Sequence, residues 1–356
     1  MTSNNIKSAS TGAVDANYDT LNILEVLYQK RNISLEQSEF VFSRVMQGEL
    51  NDIELSALLI ALKIKGESAD EIAGAATAMV KNAKAFDRPN YAFSDIVGTG
   101  GDGHNTINIS SAAAILAAAC GIKVAKHGNR SVSSKSGSSD LFAGFGMDLM
   151  MTPAQARRCL DQANLCFLAA PNYHAGVGHA MPVRTTLKTR TLFNILGPLA
   201  NPSRPTHGVY GVYHPQLIDV YAKVLRKLGH NNALVVHGDG LDEIALHGQT
   251  QAQHIQDGNI KELTLNAASF GAKPAPIEAI EGAEPSKNVD AIAKVLSGSG
   301  KEAHKHAIAL NAAALIWVND TGREHRDCFA QAMDTLASGK GIKTIELAAR
   351  ISKEEV

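Results

Sequence analysis

The chain has 356 residues, with 34 Lys and Arg against 35 Asp and Glu, and this balance argues against a general nucleic-acid binder, although a local basic site stays open. Its length favours two domains, its 45% hydrophobic content allows a sizeable core, and its longest apolar run, residues 112–120, is far below the about 20 residues of a membrane span. Cys120, Cys159, Cys166 and Cys328 form neither a CxxC pair nor a zinc-ligand pattern, which predicts reduced core thiols and a cytoplasmic protein.

The first part of the chain is predicted to be a tail followed by helices. Residues 1–20 are polar and lack the apolar segment of a secretion signal, so we expect a flexible tail. Helical periodicity follows over residues 21–88, and Asp87-Arg88-Pro89-Asn90 then breaks it, so the helical domain is bounded at 21–90. Three capping-box pairs mark helix starts: Ser34 with Gln37, Asn51 with Glu54, and Ser68 with Glu71. This region is therefore predicted to be a small helical domain.

From residue 91 onward, strands and helices alternate. A predicted strand at 91–97 leads into a glycine-rich loop, and a helix at about 110–120 and a strand at 122–125 follow. Another helix is predicted to begin at Thr152-Pro153-Ala154-Gln155, with proline at its first position. Further strands are predicted at 165–169, 209–213, 233–236 and 243–246, a loop at 273–289, and helices at 291–296 and 306–318. This order predicts a larger α/β domain whose central, mainly parallel sheet is flanked by helices.

The glycine-rich loop fits the pattern G-x-G-x-x-G with Gly98, Gly100 and Gly103. Glycines let the backbone approach an anion, although a tight turn without a ligand explains the same pattern. A dinucleotide site should carry an acidic residue about 20 residues later, but the next strand ends in Lys126-His127. Since lysine suits a 2′-phosphate, an NADP-binding oxidoreductase stays open. No Lys-Ser/Thr follows the glycines, so the Walker pattern is absent.

A second loop, residues 126–134, is also rich in hydrogen-bond donors. No Asp or Glu lies between Asp102 and Asp140, whereas this interval contains lysines, an arginine and many hydroxyl groups. Hydroxyl and amide groups donate to phosphate oxygens, and lysine neutralises their charge; a solvated basic loop is the plain alternative. Ligands favour the carboxyl ends of parallel strands, where both loops are expected. Two such loops indicate a ligand with two separated phosphate groups.

An acidic pair, Asp242-Glu243, follows a strand and the glycines Gly238 and Gly240. In a turn, both carboxylates can reach a hard cation, and Mg²⁺ prefers carboxylates, waters and substrate phosphates. A solvated acidic turn is the alternative. Beside a site for two phosphate groups, the magnesium interpretation is favoured.

Together these motifs resemble the anthranilate phosphoribosyltransferase family, which belongs to the nucleoside phosphorylases and phosphoribosyltransferases with an N-terminal helical domain. The resemblance rests on Gly98-Thr99-Gly100-Gly101-Asp102, Asn108-Ile109-Ser110-Ser111, Lys126-His127-Gly128-Asn129, Asp242-Glu243, Arg184 and residues 191–199. It covers roughly residues 21–350, with the motifs in order.

The resemblance implies a helical domain (21–90 plus part of 175–200) and a phosphoribosyl-binding α/β domain (91–174 and 201–356). It also implies a homodimer formed through the helical domains, with no nucleic-acid or membrane partner. The implied reaction transfers the phosphoribosyl group of 5-phosphoribosyl-1-diphosphate (PRPP) to the amine of anthranilate. Its products are N-(5-phosphoribosyl)anthranilate and diphosphate, an intermediate and by-product of tryptophan biosynthesis.

The same resemblance implies the site residues. PRPP is assigned to Gly98, Gly101, Asp102, Thr106, Asn108, Ile109, Ser110, Ser111, Lys126, His127, Gly128, Asn129, Arg130, Ser131, Val132, Ser133, Ser134 and Ser138. Anthranilate is assigned to Gly98, Asn129, Tyr173, His174 and Arg184, and two Mg²⁺ ions per subunit to Ser110, Asp242 and Glu243. Lys126 and Arg184 are expected to act by positioning and electrostatics, with no general base assigned. The alternatives are the NADP-binding oxidoreductase and a non-catalytic relative that binds nucleotides or nucleic acid.

Overall fold

The computed structural model describes residues 18–130 and 135–355, so the predictions for most of the tail and for Ser131, Val132, Ser133 and Ser134 lie outside the described residues. The helices are α1 (Thr20–Tyr28), α2 (Leu35–Gln47), α3 (Asp52–Lys65), α4 (Ala69–Lys81), α5 (Ile109–Ala119), α6 (Ser138–Gly144), α7 (Pro153–Ala163), α8 (Ala170–Tyr173), α9 (Met181–Leu187), α10 (Phe193–Leu196), α11 (Leu217–Lys227), α12 (Pro285–Leu296), α13 (Glu302–Asn319), α14 (His325–Ala337) and α15 (Lys340–Ile351). The strands are β1 (Ser94–Gly98), β2 (Val124–Gly128), β3 (Leu165–Ala169), β4 (His207–Gly211), β5 (Asn232–Gly238), β6 (Thr250–Gln256) and β7 (Asn259–Leu265). Short 3₁₀ helices span Ala175–Ala180, Gly197–Leu199, Ala267–Phe270 and Ile277–Ile280.

The three predicted capping boxes are confirmed, and they begin α2, α3 and α4. In α4 the box also anchors the helical region internally. The buried carboxylate of Glu71 accepts from Ser68 N (2.7 Å), Ile33 N (3.0 Å) and Lys65 Nζ (2.8 Å). One side chain therefore joins the start of α4, the end of α3 and the chain segment that precedes α2.

The sheet has the order β3-β2-β1-β4-β5-β6-β7, and its first five strands are parallel. The predicted mainly parallel sheet is therefore confirmed. The chain runs outward from β1 to β3 and then returns to place β4 on the other side of β1. The topological switch point thus lies between β1 and β4, and ligands of open α/β sheets bind outside the carboxyl ends of the strands at such a point.

Three features of the fold differ from the prediction. Residues 243–246 form no strand, because Ile244 N–H donates to Asn311 Oδ1 and Ala245 N–H donates to Thr250 Oγ1, so side chains replace a neighbouring strand. The predicted loop 273–289 contains a 3₁₀ turn and the first residues of α12. The sequence prediction also omitted β6 and β7, an antiparallel hairpin whose turn residues Asp257 and Gly258 both have positive φ.

Two hydrophobic clusters flank the sheet. Along β5, Ala233 and Val235 belong to the cluster of α1–α4, whereas Leu234 and Val236 belong to the cluster of α5 and α13. This alternation is the period of two that a strand with two buried faces requires. Hydrophobic residues between 180 and 200 pack in the cluster of α1–α4, which places that segment against the helical region.

The cysteines are free thiols, as predicted. Burial raises the pKa of Cys120 and raises that of Cys159 to about 12, so both remain protonated near neutral pH. Within residues 18–130 and 135–355, no helix combines the length and the apolar character needed to cross a bilayer.

Candidate active site

A cavity of about 420 Å³ opens at the carboxyl ends of β1, β2 and β4, at the switch point of the sheet. It brings together most of the residues that the sequence assigned to ligands. These are Gly98, Gly101, Asp102, Thr106, Asn108, Ile109, Ser110, Ser111, Lys126, His127, Gly128, Asn129, Arg130, Ser138, Arg184, Asp242 and Glu243. The glycine-rich loop, the described part of the second donor-rich loop, the acidic pair and Arg184 therefore share a single cavity.

The glycine-rich loop lies directly against the acidic pair. Gly100 N–H donates to Asp242 Oδ2 over 2.6 Å, and a Cβ on Gly98 would come within 2.1 Å of that oxygen. Gly100 and Gly101 have φ of +68° and +78°, which L-residues with side chains rarely adopt. The glycines at these positions therefore allow the loop to turn and to approach the carboxylate.

The surrounding protein stabilises the negative charge of the acidic pair only in part. Burial and the nearby Asp102 raise the pKa of Asp242 to about 7, and burial and Asp242 raise the pKa of Glu243 to about 8. Ser110 N–H donates to Glu243 Oε1 over 3.1 Å. The two carboxylates and the Ser110 hydroxyl are oxygen donors of the kind that hard divalent cations prefer.

In the described part of the chain, no three His, Cys, Asp or Glu side chains form a metal cage. Mg²⁺ needs no such cage, because it usually binds one or two carboxylates together with waters and substrate phosphates. The residues present therefore fit a magnesium ion that is bound together with a phosphate ligand.

Lys126 places a cation in the wall of the cavity. It is 1% exposed, and its Nζ donates to Ile96 O over 2.6 Å. Burial lowers its pKa, whereas the nearby carboxylates of Asp95, Glu243 and Asp242 act in the opposite direction. Because this ammonium group is already removed from bulk water in the folded protein, it can neutralise an anionic ligand without a further cost of desolvation.

His127 also lines the cavity, but its surroundings favour the neutral form of its ring. Its Nδ1 lies 3.1 Å from Gly197 O, and burial, with His174 as a smaller cause, lowers its pKa to about 3. His174 packs behind it with a ring-centroid distance of 5.1 Å. Neither His174 nor the buried Tyr173 lines the cavity, so their contact with anthranilate stays a prediction.

Arg184, on α9, presents a guanidinium group to the cavity. Its Cζ lies 5.1 Å from the ring centroid of Phe193, and Nη1 lies 3.8 Å from Met181 Sδ. Among the ion pairs of the described residues, none involves Arg184. An arginine held by apolar neighbours is available to a planar carboxylate, which its fork can bind through two hydrogen bonds.

The sequence interpretation missed Arg190, which lies between the two parts of the molecule. Its Nη2 donates to Gly101 O over 2.5 Å, and its Cζ stacks 4.0 Å from the ring centroid of Tyr213. Both residues line the cavity, as do Thr99 and His104. The only signal in the sequence is a basic residue directly before the segment 191–199, and this signal does not reveal the contact with the glycine loop.

Comparison with known proteins defines the class first. The description "Glycosyl transferase family, helical bundle domain" matches residues 21–83, and "Glycosyl transferase family, a/b domain" matches residues 90–342. The solved anthranilate phosphoribosyltransferase of Thermus thermophilus superimposes with a TM-score of 0.88 at 34% identity, over 93% of this chain and 99% of that one. These matches establish a two-part glycosyl transferase.

The particular family follows from closer relatives. The anthranilate phosphoribosyltransferase of Aeromonas hydrophila is 55% identical over 92% of this chain and 95% of its own length. The Saccharomyces cerevisiae enzyme, solved in complex with PRPP and Mg, has a TM-score of 0.86 at 27% identity, over 95% of this chain and 99% of that one. The chain belongs to the anthranilate phosphoribosyltransferase family.

Proposed function

We propose that this chain transfers the phosphoribosyl group of PRPP to the amine of anthranilate and releases diphosphate. The observation that carries the proposal is the cavity that joins two donor-rich loops, an acidic pair and the guanidinium group of Arg184. The fold and the membership of the family support the same reaction. Neither supports the NADP-binding oxidoreductase or the non-catalytic relative, the two alternatives that the sequence left open.

PRPP is proposed to occupy the side of the cavity formed by the glycine loop, the start of α5 and the loop after β2. Backbone amides and hydroxyl groups there donate to phosphate oxygens, and Lys126 supplies a positive charge. Ser110, Asp242 and Glu243 are proposed to hold two Mg²⁺ ions per subunit. Magnesium, when bound, neutralises the diphosphate and makes it a better leaving group.

Anthranilate is proposed to be held through its carboxylate by Arg184. Its aromatic amine is already neutral at pH 7, so attack on C1 of the ribose requires no strong base beforehand. The chain contributes chiefly by holding the amine in line with C1 and by stabilising the departing negative charge. No side chain is assigned as a general base.

Three wider features are also proposed. Residues 21–90 and part of 175–200 are proposed to form the helical domain. Hydrophobic residues of both segments belong to one cluster, which supports this division. A homodimer through the helical domains is supported by exposed apolar side chains on α1 and α3. The protein is also proposed to be cytoplasmic, because this biosynthetic step is expected to take place in the cytoplasm.

The test mixes protein, PRPP, anthranilate and Mg²⁺ and follows the loss of anthranilate fluorescence. The wild-type protein should consume anthranilate only when PRPP and Mg²⁺ are both present. Asp242→Asn combined with Glu243→Gln should lower turnover at least a hundredfold and weaken its dependence on Mg²⁺. A folded wild-type protein that consumes no anthranilate would overturn the proposed function, and an unimpaired double variant would overturn the magnesium assignment.

A further inference from the structure

A buried asparagine outside the cavity is hydrogen-bonded to one that lines it. Asn288, near the start of α12, is 3% exposed and is not among the cavity residues. Its Oδ1 accepts from Ala283 N–H over 2.7 Å, and its Nδ2 donates to Asn108 Oδ1 over 3.3 Å. Asn108 is the residue directly before α5, and it lines the cavity.

The segment that precedes α12 supports the same loop from outside. Ile107 N–H donates to Ile280 O over 3.0 Å, and Gly282 N–H donates to Asn105 O over 2.6 Å. A Cβ on Gly282 would lie 2.4 Å from Thr106 O, so the two backbones are in direct contact. Asn288 contacts this segment through Ala283 and contacts the start of α5 through Asn108. Its side chain therefore connects the two parts of the chain.

Asn108 passes the connection to Ser136, in the segment that leads from the second donor-rich loop into α6. Its Nδ2 donates to Ser136 O over 3.1 Å, and its Oδ1 also accepts from Ser136 Oγ over 3.2 Å. Asn108 is the N-cap residue of α5, yet its side chain makes no capping hydrogen bond. The amide that ordinarily caps a helix here links two loops that belong to different strand ends.

The hydrogen-bond chain has one possible direction. It begins at a backbone N–H, that of Ala283, and ends at a backbone carbonyl, that of Ser136. Each intervening amide must therefore present oxygen toward Ala283 and nitrogen toward Ser136. Reversing either amide would place two acceptors or two donors face to face. The chain therefore specifies the orientation of the Asn108 amide inside the cavity wall.

We infer that Asn288 is a positioning residue that holds the start of α5 and the segment at Ser136–Ser138 in register by orienting Asn108. The inference rests on the proposed function, because Asn108 and Ser138 are assigned to PRPP. Asn288 touches no ligand itself; it acts through Asn108. Its loss should therefore weaken PRPP binding while leaving the anthranilate side of the cavity unaffected.

The decisive variant is Asn288→Asp, which keeps the volume and the acceptor for Ala283 but presents a second acceptor to Asn108. We expect the KM for PRPP to rise roughly tenfold, since a misdirected buried amide costs about the 1.4 kcal/mol that a factor of ten represents. The KM for anthranilate should change less than about twofold. Ser286→Asp, which adds the same charge at an exposed position of the same helix, is the matched control and should match wild type.

A double-mutant cycle tests the route. In an Asn108→Ala background, Asn288→Asp should add no further increase in the KM for PRPP, because the amide that it orients is gone. An equal increase in both backgrounds would overturn the inference, as would an unchanged KM for PRPP in the single variant. If the wild-type protein itself consumes no anthranilate, the proposed function fails instead, so the two failures are distinguishable.

Hydrogen exchange of the wild-type protein gives a measurement that needs no variant. Because coupling between sites is reciprocal, PRPP with Mg²⁺ should slow exchange of the Ala283 amide, although residues 280–288 line no part of the cavity. Exchange at that amide that is unaffected by saturating PRPP would overturn the inference even if Asn288→Asp did not fold.

Discussion

At the scale of single residues, the site depends on how closely backbone and side chains approach one another as much as on its hydrogen-bond donors. Gly98 leaves room for Asp242, whose Oδ2 would lie 2.1 Å from any added Cβ. We expect Gly98→Ala to lower kcat/KM for PRPP at least a hundredfold, because the carboxylate or the loop must move. Steady-state kinetics with both substrates measures this effect. Gly178→Ala is the control: Gly178 is exposed, does not line the cavity, and its added Cβ meets no atom within 4 Å, so near wild-type kinetics are expected.

Arg184 offers a second test at this scale. Removal of its guanidinium group in Arg184→Ala should raise the KM for anthranilate at least tenfold and that for PRPP much less, because a carboxylate then loses its charged partner. Arg184→Lys should recover only part of the loss, since an ammonium cannot bind both oxygens in the same plane. Equal increases in both KM values would contradict the assignment.

At the scale of elements, the buried pair of Lys65 and Glu71 holds the helical region together. Both side chains are almost fully buried, and Glu71 also accepts two backbone hydrogen bonds. Glu71→Gln should lower the free energy of unfolding by about 3 kcal/mol, because it leaves the buried lysine without its charge partner. Urea unfolding measures the loss. Glu54→Gln, at the same capping position of α3, should cost well under half as much; similar losses would refute a special role for the pair.

We expect the buried histidine near the end of β2, His127, to make stability depend on pH. His127 has its pKa lowered to about 3 by burial, whereas an unfolded histidine titrates near 6.5. Between these values the unfolded chain binds the proton and the native protein does not, so this residue lowers stability as pH falls from about 6.5 toward 3. His127→Asn can still donate to Gly197 O but cannot titrate. Its loss of stability between pH 7 and pH 5 should be smaller than that of wild type by about 2 kcal/mol.

Chemical unfolding at several pH values measures that difference. His214→Asn, at an exposed histidine, is the control and should leave the pH dependence as it is in wild type. If His127→Asn lost stability with falling pH as steeply as wild type, the neutral, buried state of His127 would be wrong.

How far an element can be predicted depends on where its hydrogen-bond partners lie. The capping boxes were predictable because each pair is three residues apart, and the glycine loop because its pattern is local. The strand predicted at 243–246 was wrong because Asn311, far along the chain, satisfies Ile244 instead of a neighbouring strand. Arg190 and Asn288 were missed for the same reason: their contacts with Gly101 and Asn108 exist only once the sheet is assembled.

At the scale of the whole molecule, the switch point explains why the motifs meet. Because β4 returns beside β1 and β5 pairs with β4, the turn after β5 that carries Asp242 comes to lie against the glycine loop, although the two are far apart in the chain. The segment with Arg184 packs in the cluster of α1–α4 and also lines the cavity. The helical region thus supplies one wall of the site and the sheet supplies the other.

The helical region also presents an apolar surface to solvent. Leu21 and Tyr28 on α1 and Ile53 and Ile64 on α3 are exposed by 64%, 52%, 82% and 69%. Leu21 and Tyr28 lie seven residues apart, and Ile53 and Ile64 lie eleven residues apart. At about 100° per residue, each of these spacings brings both side chains to the same face of their helix. Large exposed apolar side chains clustered on helices are typical of a surface covered by another protein chain.

We therefore expect a homodimer that buries these faces of α1 and α3 against a second copy. Sedimentation velocity should give twice the 37.7 kDa chain mass for wild type. Ile53→Asp combined with Ile64→Asp should give the single-chain mass, because two carboxylates in an apolar interface remain unpaired. Met150→Asp alters a side chain of the α/β region that is 67% exposed and should leave the mass doubled. A wild-type protein that sediments as a single chain at micromolar concentration would refute the dimer, and a double variant that stays dimeric would move the interface to another face.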